Sequence, residues 1–204
     1  MSDSKRGRPR AFDREKALQN AMELFWQKGF DNTSLSELTA CMGLNPPSLY
    51  ASFKSKEGLF NEALARYEET EGKGIWEHLE EAATAREAVE QLLHASALNF
   101  SRQDKPKGCM IVLSAPQMCG SSNTICEELR LKRKRSMQLL HSRLERAKRE
   151  GELPEQTDCA GLANLVLTFQ HGMSIQARDG SSRQTLVKLA EQFISAWECL
   201  IHIR

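Results

Sequence analysis

The apolar residues of the first seventy positions recur at the spacing of amphipathic helices. Between Asp13 and Gly29 they fall at i, i+3, i+4 and i+7, which predicts a helix that ends at the glycine. A second long helix is predicted from Ser55, and the glycines on either side of Lys73 predict a kink or an end there. The buried side of this second helix is expected to carry Leu59, Phe60, Ala63, Leu64 and Tyr67.

The segment between these two helices carries the local signals of two short helices joined by a turn. Ser34 can cap the first short helix, and Glu37, three residues on, can close a capping box. Gly43 falls where the chain must turn sharply, at a position that favours a residue free to adopt positive φ. Asn45 can cap the second short helix, and Pro46 suits its first turn because an N–H there would be unpaired.

The second short helix has an inner and an outer side. Leu49 and Phe53, four residues apart, supply the inner side, so Tyr50 is expected to face outward. Two short helices around a glycine turn, followed by a helix with a basic start, have the sequence shape of a helix-turn-helix motif. The second helix of such a motif can enter the major groove of DNA.

The remainder of the chain also predicts helices. One helix is predicted from about Thr84 to Phe100, and a short apolar helix covers CMIVLSA, which begins at Cys109. Three further helices are predicted over Ile125–Glu150, Asp158–Arg178 and Ser182–Ile203. The stretch CMIVL is the only strand candidate, and it is too isolated to build a sheet. The predicted fold class is therefore all-α.

Composition excludes several classes of protein. Of the 204 residues, 40% are hydrophobic and 27% are charged, which is ordinary for a globular chain. No apolar run approaches the roughly 18 residues that span a bilayer, and the basic, polar N-terminus is unlike a signal peptide, so we expect a cytoplasmic protein. The six cysteines form no CxxC pair and have no histidine at zinc spacing, which indicates reduced thiols and no metal site or cofactor.

Net charge alone does not indicate a nucleic-acid partner. The formal net charge is only +1, so only the local distribution of charge along the chain can indicate such a partner. The basic stretch Arg130–Arg135 lies in the middle of a predicted helix of the second half. We interpret it as a solvated or intersubunit face.

Three linked pieces at matching spacing identify a family resemblance. They are Lys28-Gly29-Phe30, Thr33-Ser34-Leu35 and the run Leu49–Glu57. Over about Arg14–Leu64 the chain resembles the DNA-binding domain of TetR/AcrR-type transcriptional regulators. The resemblance implies a flexible basic arm at residues 1–12, a helix-turn-helix domain at 13–60, and a helical effector-binding and dimerisation domain at 61–204.

The expected DNA contacts follow from this motif. Side chains at the start of its second helix meet base edges, where Asn and Ser can hydrogen-bond and proline can press on thymine methyl groups. Alternatively, Asn45 is only a cap and the prolines only start the helix. The resemblance implies phosphate contacts at the outward tyrosine, at the start of the next helix and at the threonine before the motif. The expected DNA-binding residues are Thr33, Asn45, Pro46, Pro47, Ser48, Tyr50, Lys54 and Lys56.

The N-terminal arm offers a second route to DNA. Arg6, Arg8 and Arg10 around Gly7 and Pro9 resemble an AT-hook core, and such an arm can lie in a narrow A·T-rich minor groove. The chain departs from the commoner family version at Pro46-Pro47, where Lys-Gly usually stands.

The resemblance also implies a homodimer and a small-molecule effector. Members of the family dimerise through their two C-terminal helices, and bind the effector between the middle helices. The candidate pocket residues are Leu93, Phe100, Cys109, Met110, Leu113, Met118, Phe169, His171 and Met173. Lys105, Lys107 and a helix N-terminus near Cys109 would lower the pKa of its thiol, which makes a sensing thiol a further hypothesis, with Cys119 or Cys126 as its resolving partner.

Three readings of function follow from these observations. The first is a ligand-responsive transcriptional regulator, most simply a repressor, that binds a palindromic operator. The second is an AT-rich DNA architectural protein in which the arm does most of the binding. The third is a thiol hydrolase built on Cys109 with His94 or His171, although no nucleophile elbow, phosphate loop or paired-carboxylate signature is present.

Overall fold

The computed structural model describes residues 13–114 and 123–202. Its helices are α1 (Arg14–Lys28), α2 (Leu35–Met42), α3 (Pro46–Phe53), α4 (Lys56–Glu69), α5 (Lys73–Trp76), α6 (Ala85–Phe100), α7 (Met110–Ser114), α8 (Asn123–Arg149), α9 (Cys159–Arg178), α10 (Arg183–Ser195) and α11 (Trp197–Leu200). No strand occurs in either described range, and the predicted all-α fold class is confirmed.

The first four helices enclose one apolar core. The Phe60 ring of α4 meets Phe25 of α1 edge-on at a centroid distance of 5.0 Å, and meets Phe30 at 5.2 Å. The short helices α2 and α3 bury two side chains each, and those of α3 are Leu49 and Phe53. Burial of such a side chain contributes about 1.5–3 kcal/mol, which is enough to seat an eight-residue helix that would not form alone.

The turn between α2 and α3 has the predicted local structure. Ser34 and Glu37 form the capping box at the start of α2. Gly43 ends that helix at φ +67°, in the left-handed region that favours glycine. The Asn45 side chain accepts a hydrogen bond from the Ser48 amide, so Asn45 caps α3 as expected. These signals act within a few residues, which is why the sequence alone predicts them.

A second core lies between α6, α8, α9 and α10. The buried residues of α9 recur every three or four positions from 159 to 177, as expected for a helix that packs on several neighbours. Ser96 and Gln170 are two of the polar side chains buried in this part of the molecule. Gln170 Nε2 donates to Ser96 Oγ at 2.7 Å, and Ser96 donates to the Leu92 carbonyl, so both side chains are paired.

The C-terminal helix differs from the prediction. A single helix was expected over Ser182–Ile203, but α10 ends at Ser195 and α11 follows after Ala196. The Ala196 amide bonds the Phe193 carbonyl at 3.1 Å, which tightens the turn. This change of direction accompanies the burial of Trp197 and Ile201 in the second core, and the hydrophobic pattern alone does not reveal it.

The two cores are joined by polar contacts and by α4. Arg178 of α9 donates to the carbonyls of Trp26 and Gln27 at 2.7 and 2.8 Å, which lie at the free C-terminal end of α1. The Trp26 indole donates to the Gly108 carbonyl at 3.1 Å. The helix α4 continues across residue 60, the boundary expected between the two domains, and therefore belongs to both.

Gly108 permits the close approach of α7 to α9. Its φ is +76°, and a Cβ there would lie 2.6 Å from the Ser174 carbonyl oxygen and 2.5 Å from Leu113 Cδ1. The next residue is held by the same neighbour, since the Cys109 amide donates to Ser174 Oγ at 2.8 Å. Only glycine fits this position without a shift of backbone.

None of the helices in the described ranges has the length and apolar character needed to cross a membrane.

Candidate nucleic-acid interface and central cavity

The outer face of α3 is largely exposed in the described part of the chain. Leu49 and Phe53 hold the helix on the core, while Asn45, Pro46 and Pro47 are exposed and Ser48 is half-buried. Tyr50 is 44% exposed, so its predicted outward orientation is confirmed. The Asn45 oxygen is engaged in the cap, which leaves its amide NH₂ as the group that can meet a base or phosphate.

The junction of α3 and α4 is compact. Lys54 is exposed and has the positive φ of +67°, and Ser55 then caps α4 by accepting from the Gly58 amide. A Cβ at Gly58 would lie 2.3 Å from the Phe53 carbonyl oxygen, so α4 starts directly against the end of α3. Any movement of α4 therefore carries α3 with it.

Two of the expected phosphate-binding residues have other contacts. Thr33 is fully buried, and its hydroxyl donates to the Gly29 carbonyl at 2.6 Å, so the expected side-chain contact with DNA is wrong for this residue. Lys56 places its ammonium 4.3 Å from the centre of the Phe30 ring, and partial burial lowers its pKa. Tyr50 and Lys54 thus remain the exposed candidates for backbone contact, while Arg6, Arg8 and Arg10 lie outside the described residues.

A cavity of about 480 Å³ lies where the two cores meet. We call it the central cavity and define it by its walls: the C-terminal half of α4, α5, the end of α6, α7, the middle of α8, and Gln170 and His171 of α9. Its apolar lining consists of Ile75, Trp76, Phe100, Ile111, Val112 and Leu139. A cavity of this size suits a small organic ligand.

Only part of the predicted pocket set lines this cavity. Phe100, Cys109 and His171 do so. Leu93, Met110, Phe169 and Met173 pack in the two cores instead, and Leu113 is also absent from the cavity walls; Met118 lies outside the described residues. Sequence reasoning missed Tyr67 and Arg133, since Tyr67 reads as a core residue of α4 and Arg133 as part of a solvated basic run.

Cys109 does not have the environment expected from its sequence neighbours. Lys105 pairs with Glu23 and Glu71, and Lys107 donates to the Ser101 and Arg102 carbonyls. Neither lysine is therefore directed at the thiol. Burial instead raises the pKa of Cys109, which corrects the expected lowering and disfavours a thiolate at neutral pH.

Burial also determines the protonation state of the histidine that lines the central cavity. Burial lowers the pKa of His171, and the nearby Arg133 charge lowers it further, so the imidazole is neutral at pH 7. Within the described residues, no three His, Cys, Asp or Glu side chains come together in a way that could hold a metal ion.

A helix-turn-helix with an exposed second helix, joined to a helical body that contains a cavity, is the arrangement of a DNA-binding regulator. Comparison with known proteins names the family. Residues 17–63 match the model of bacterial regulatory proteins of the tetR family. The chain is 34% identical over 197 residues to the HTH-type transcriptional repressor ComR of Escherichia coli, covering 96% of this chain and 94% of that protein.

Other relatives agree. The HTH-type transcriptional repressor BdcR of Escherichia coli is 32% identical, with 90% of this chain and 88% of that protein covered. A cysteine-substituted variant of the TetR family regulator CifR, solved with a 26-base-pair operator DNA, is 41% identical with a TM-score of 0.88, and 93% of this chain and 100% of that chain are covered. The chain belongs to the TetR family of helix-turn-helix transcriptional regulators.

Proposed function

We propose that the protein is a ligand-responsive transcriptional repressor, which binds a two-fold operator as a homodimer and releases it when a small molecule occupies the central cavity. The observation that carries this proposal is the outer face of α3. Leu49 and Phe53 hold the helix on the first core, and the side chains of its outer face are largely exposed. Similar chains that are named as repressors, and one solved with operator DNA, support the same reading.

The dimer is supported by the exposed apolar residues of α9. Leu165 is 40% exposed and Ile175 is 49% exposed, and both lie on the side of the helix that faces away from the second core. The same face carries short side chains, which let a second helix approach closely, at Asn164, Thr168 and Gly172. An apolar stripe of this kind on the outside of a packed helix is typical of a subunit interface.

Two copies of the domain formed by α1–α4, each of which we call a DNA-reading head, are needed for tight binding. One short helix in one groove buries too little surface for a stable specific complex, whereas a two-fold dimer reads two half-sites about one helical turn apart. The effector then acts as a selective ligand: it binds more tightly to the conformation whose heads do not fit the operator, and so shifts the population away from DNA.

The helix α4 connects the cavity to the DNA-reading head. Tyr67, Glu68 and Glu69 at its far end line the central cavity, and its first turn abuts the end of α3. The helix is 14 residues long, or about 21 Å. The Tyr67 ring also packs edge-on against Trp26 of α1 at 4.9 Å. A ligand that displaces Tyr67 therefore acts on both long helices of the head.

The dimer is tested by sedimentation of the full-length protein. Leu165→Glu together with Ile175→Glu is expected to give monomers, because two charges would be buried at the two-fold axis. Leu98→Glu on α6 is the matched control, since Leu98 is similarly exposed at 48% but lies on another helix. Dimers that persist in the double variant would contradict the assigned interface.

DNA binding is tested by selection of duplexes from a randomised library. The full chain and a chain lacking residues 1–12 are expected to enrich the same two-fold motif, the shorter one with lower affinity. A shorter chain that enriches nothing, with A·T-rich duplexes enriched by the full chain, would instead support an architectural protein that binds through its arm.

A further inference from the structure

One cation that lines the central cavity has a buried nitrogen without a partner among the described residues. Seven charged side chains line it: the cations Lys73, Lys132, Arg133 and Arg135 and the acids Glu68, Glu69 and Glu77. Lys132 pairs with Glu68 at 2.5 Å, and Lys73 pairs with Glu77 at 3.8 Å. Arg135 and Glu69 are exposed, where solvent screens their charges.

Arg133 is the remaining charge, and its position differs from that of the others. Its Nη1 is buried and has no hydrogen-bond partner among the described residues. Burial lowers its pKa, although a guanidinium keeps its proton at neutral pH. A buried guanidinium nitrogen without a partner is costly, and a ligand of opposite charge in the cavity would supply the missing acceptor.

A second unpaired group lines the same cavity. Tyr67 is only 1% exposed, and its hydroxyl is buried beside the Cys109 thiol and the Met110 backbone without a well-formed hydrogen bond in the described part of the chain. Burial raises its pKa well above the ordinary value, so the phenol stays a neutral O–H donor. Arg133 on α8 and Tyr67 on α4 thus both bring a hydrogen-bond donor to the cavity lining.

We propose that the central cavity binds a small organic carboxylate with an apolar body, whose carboxylate is held by Arg133 and Tyr67. The apolar part of the lining suits the body of such a ligand, with Trp76 and Phe100 as its largest surfaces. A guanidinium matches a carboxylate in geometry and in charge. A phosphate monoester, with a charge of about −1.5 to −2, would require more than one unpaired cation.

This inference deepens the effector site of the proposed function and rests on it. It also gives different roles to two neighbouring residues of the basic run on α8. Lys132 is neutralised by Glu68, whereas Arg133 is available to the ligand. The acids near the mouth, Glu69 and Glu77, disfavour an anion there. The carboxylate would therefore lie at the Arg133 end of the cavity.

The test is a calorimetric titration of the full-length protein with octanoate and 4-phenylbutyrate, each compared with its primary amide. The acid and the amide have nearly the same shape, so the comparison isolates the charge. We expect the carboxylate to bind at least about tenfold more tightly, as a charge-assisted hydrogen bond to a buried donor requires. Equal binding of acid and amide, or no binding of either acid, overturns the inference.

Variants locate the effect. Arg133→Met is expected to remove the preference for the acid, and Arg133→Lys to keep part of it. Arg130→Met is the matched control on the same helix, because Arg130 is exposed, pairs with Glu127 and does not line the cavity. An Arg133→Met protein that still prefers the acid would contradict the assignment of the site.

A separate arm distinguishes this inference from the proposed function. Binding of a selected operator duplex is measured with and without the acids. Operator binding without any acid binding refutes the carboxylate and leaves the repressor intact. Acid binding in a protein that recognises no duplex refutes the repressor and leaves the ligand site intact.

Discussion

At the scale of single residues, the DNA-reading face divides into groups that position and groups that specify. Tyr50 and Lys54 are exposed and are proposed to contact the phosphate backbone, whereas Ser48 and the Asn45 amide lie at the N-terminal end of α3, which is proposed to meet base edges. This division makes two kinds of substitution distinguishable, because a phosphate contact contributes the same affinity on every sequence.

Tyr50→Phe is expected to weaken binding to all duplexes alike. Loss of one hydroxyl–phosphate hydrogen bond costs about 1 kcal/mol, a factor near five in the dissociation constant. Ser48→Ala should instead change the ranking of operators by up to 1–3 kcal/mol at one base pair. Fluorescence anisotropy on a selected operator and its single-base variants measures both. A change of ranking in Tyr50→Phe without a general loss would show that the roles are reversed.

At the scale of single elements, the sequence predicts what local interactions determine. The caps of α2 and α3, the turn at Gly43 and the inward pair of α3 depend on residues within four positions of one another, and all are observed. The burial of Thr33 and the interruption at Ala196 depend on tertiary packing. The pairing of Lys105 with Glu23, 82 residues away, likewise has no signal in the sequence.

The same limit explains why two polar residues that line the central cavity were not predicted from the sequence. Tyr67 and Arg133 stand 66 positions apart, on different helices, and each fits an ordinary role in its own helix. Their shared property, a buried polar atom without a partner, exists only after the helices have packed. Hydrophobic residues of the predicted middle helices were the expected pocket lining, but Leu93, Met110, Phe169 and Met173 pack in the two cores instead.

The capping box of α2 predicts a response to acid. The Lys28 ammonium, together with the Ser34 amide and hydroxyl, holds the pKa of Glu37 at about 2, below its ordinary value of 4.5. Because the folded-state pKa is depressed, the stabilisation is complete above about pH 4.5 and is lost as the pH falls toward about 2. Thermal midpoints of the wild type and Glu37→Gln should differ at neutral pH and converge in acid. A constant difference across this range would exclude the pairing.

At the scale of the whole molecule, the head and the body are connected at two places of different character. The helix α4 is a continuous rod from the cavity to α3, whereas the end of α1 is held on α9 by Arg178. Under the proposed function, a ligand that displaces Tyr67 would move α4, and Arg178 would limit how far the end of α1 follows.

Arg178→Met removes the hydrogen-bonded connection between α9 and the end of α1. The guanidinium makes three hydrogen bonds, to Trp26, Gln27 and Lys107, and we expect its loss to lower the free energy of unfolding by about 2 kcal/mol. Operator affinity should fall by about fivefold, since the heads lose preorganisation. Denaturant unfolding and anisotropy measure the two effects. Arg183→Met is the control, because Arg183 makes one long contact of 3.3 Å with Ser101 Oγ; equal effects in both variants would refute the assigned role.

The most direct test of the account is the spacing of the two half-sites in a selected operator. A dimer that presents two copies of α3 on one face of the duplex requires them about one helical turn apart. Inserting about 5 base pairs between the half-sites turns one of them to the opposite face. Binding is expected to fall to the level of a single half-site, and to recover in part with about 10 inserted base pairs. Affinity that ignores the insertion would contradict the paired reading heads.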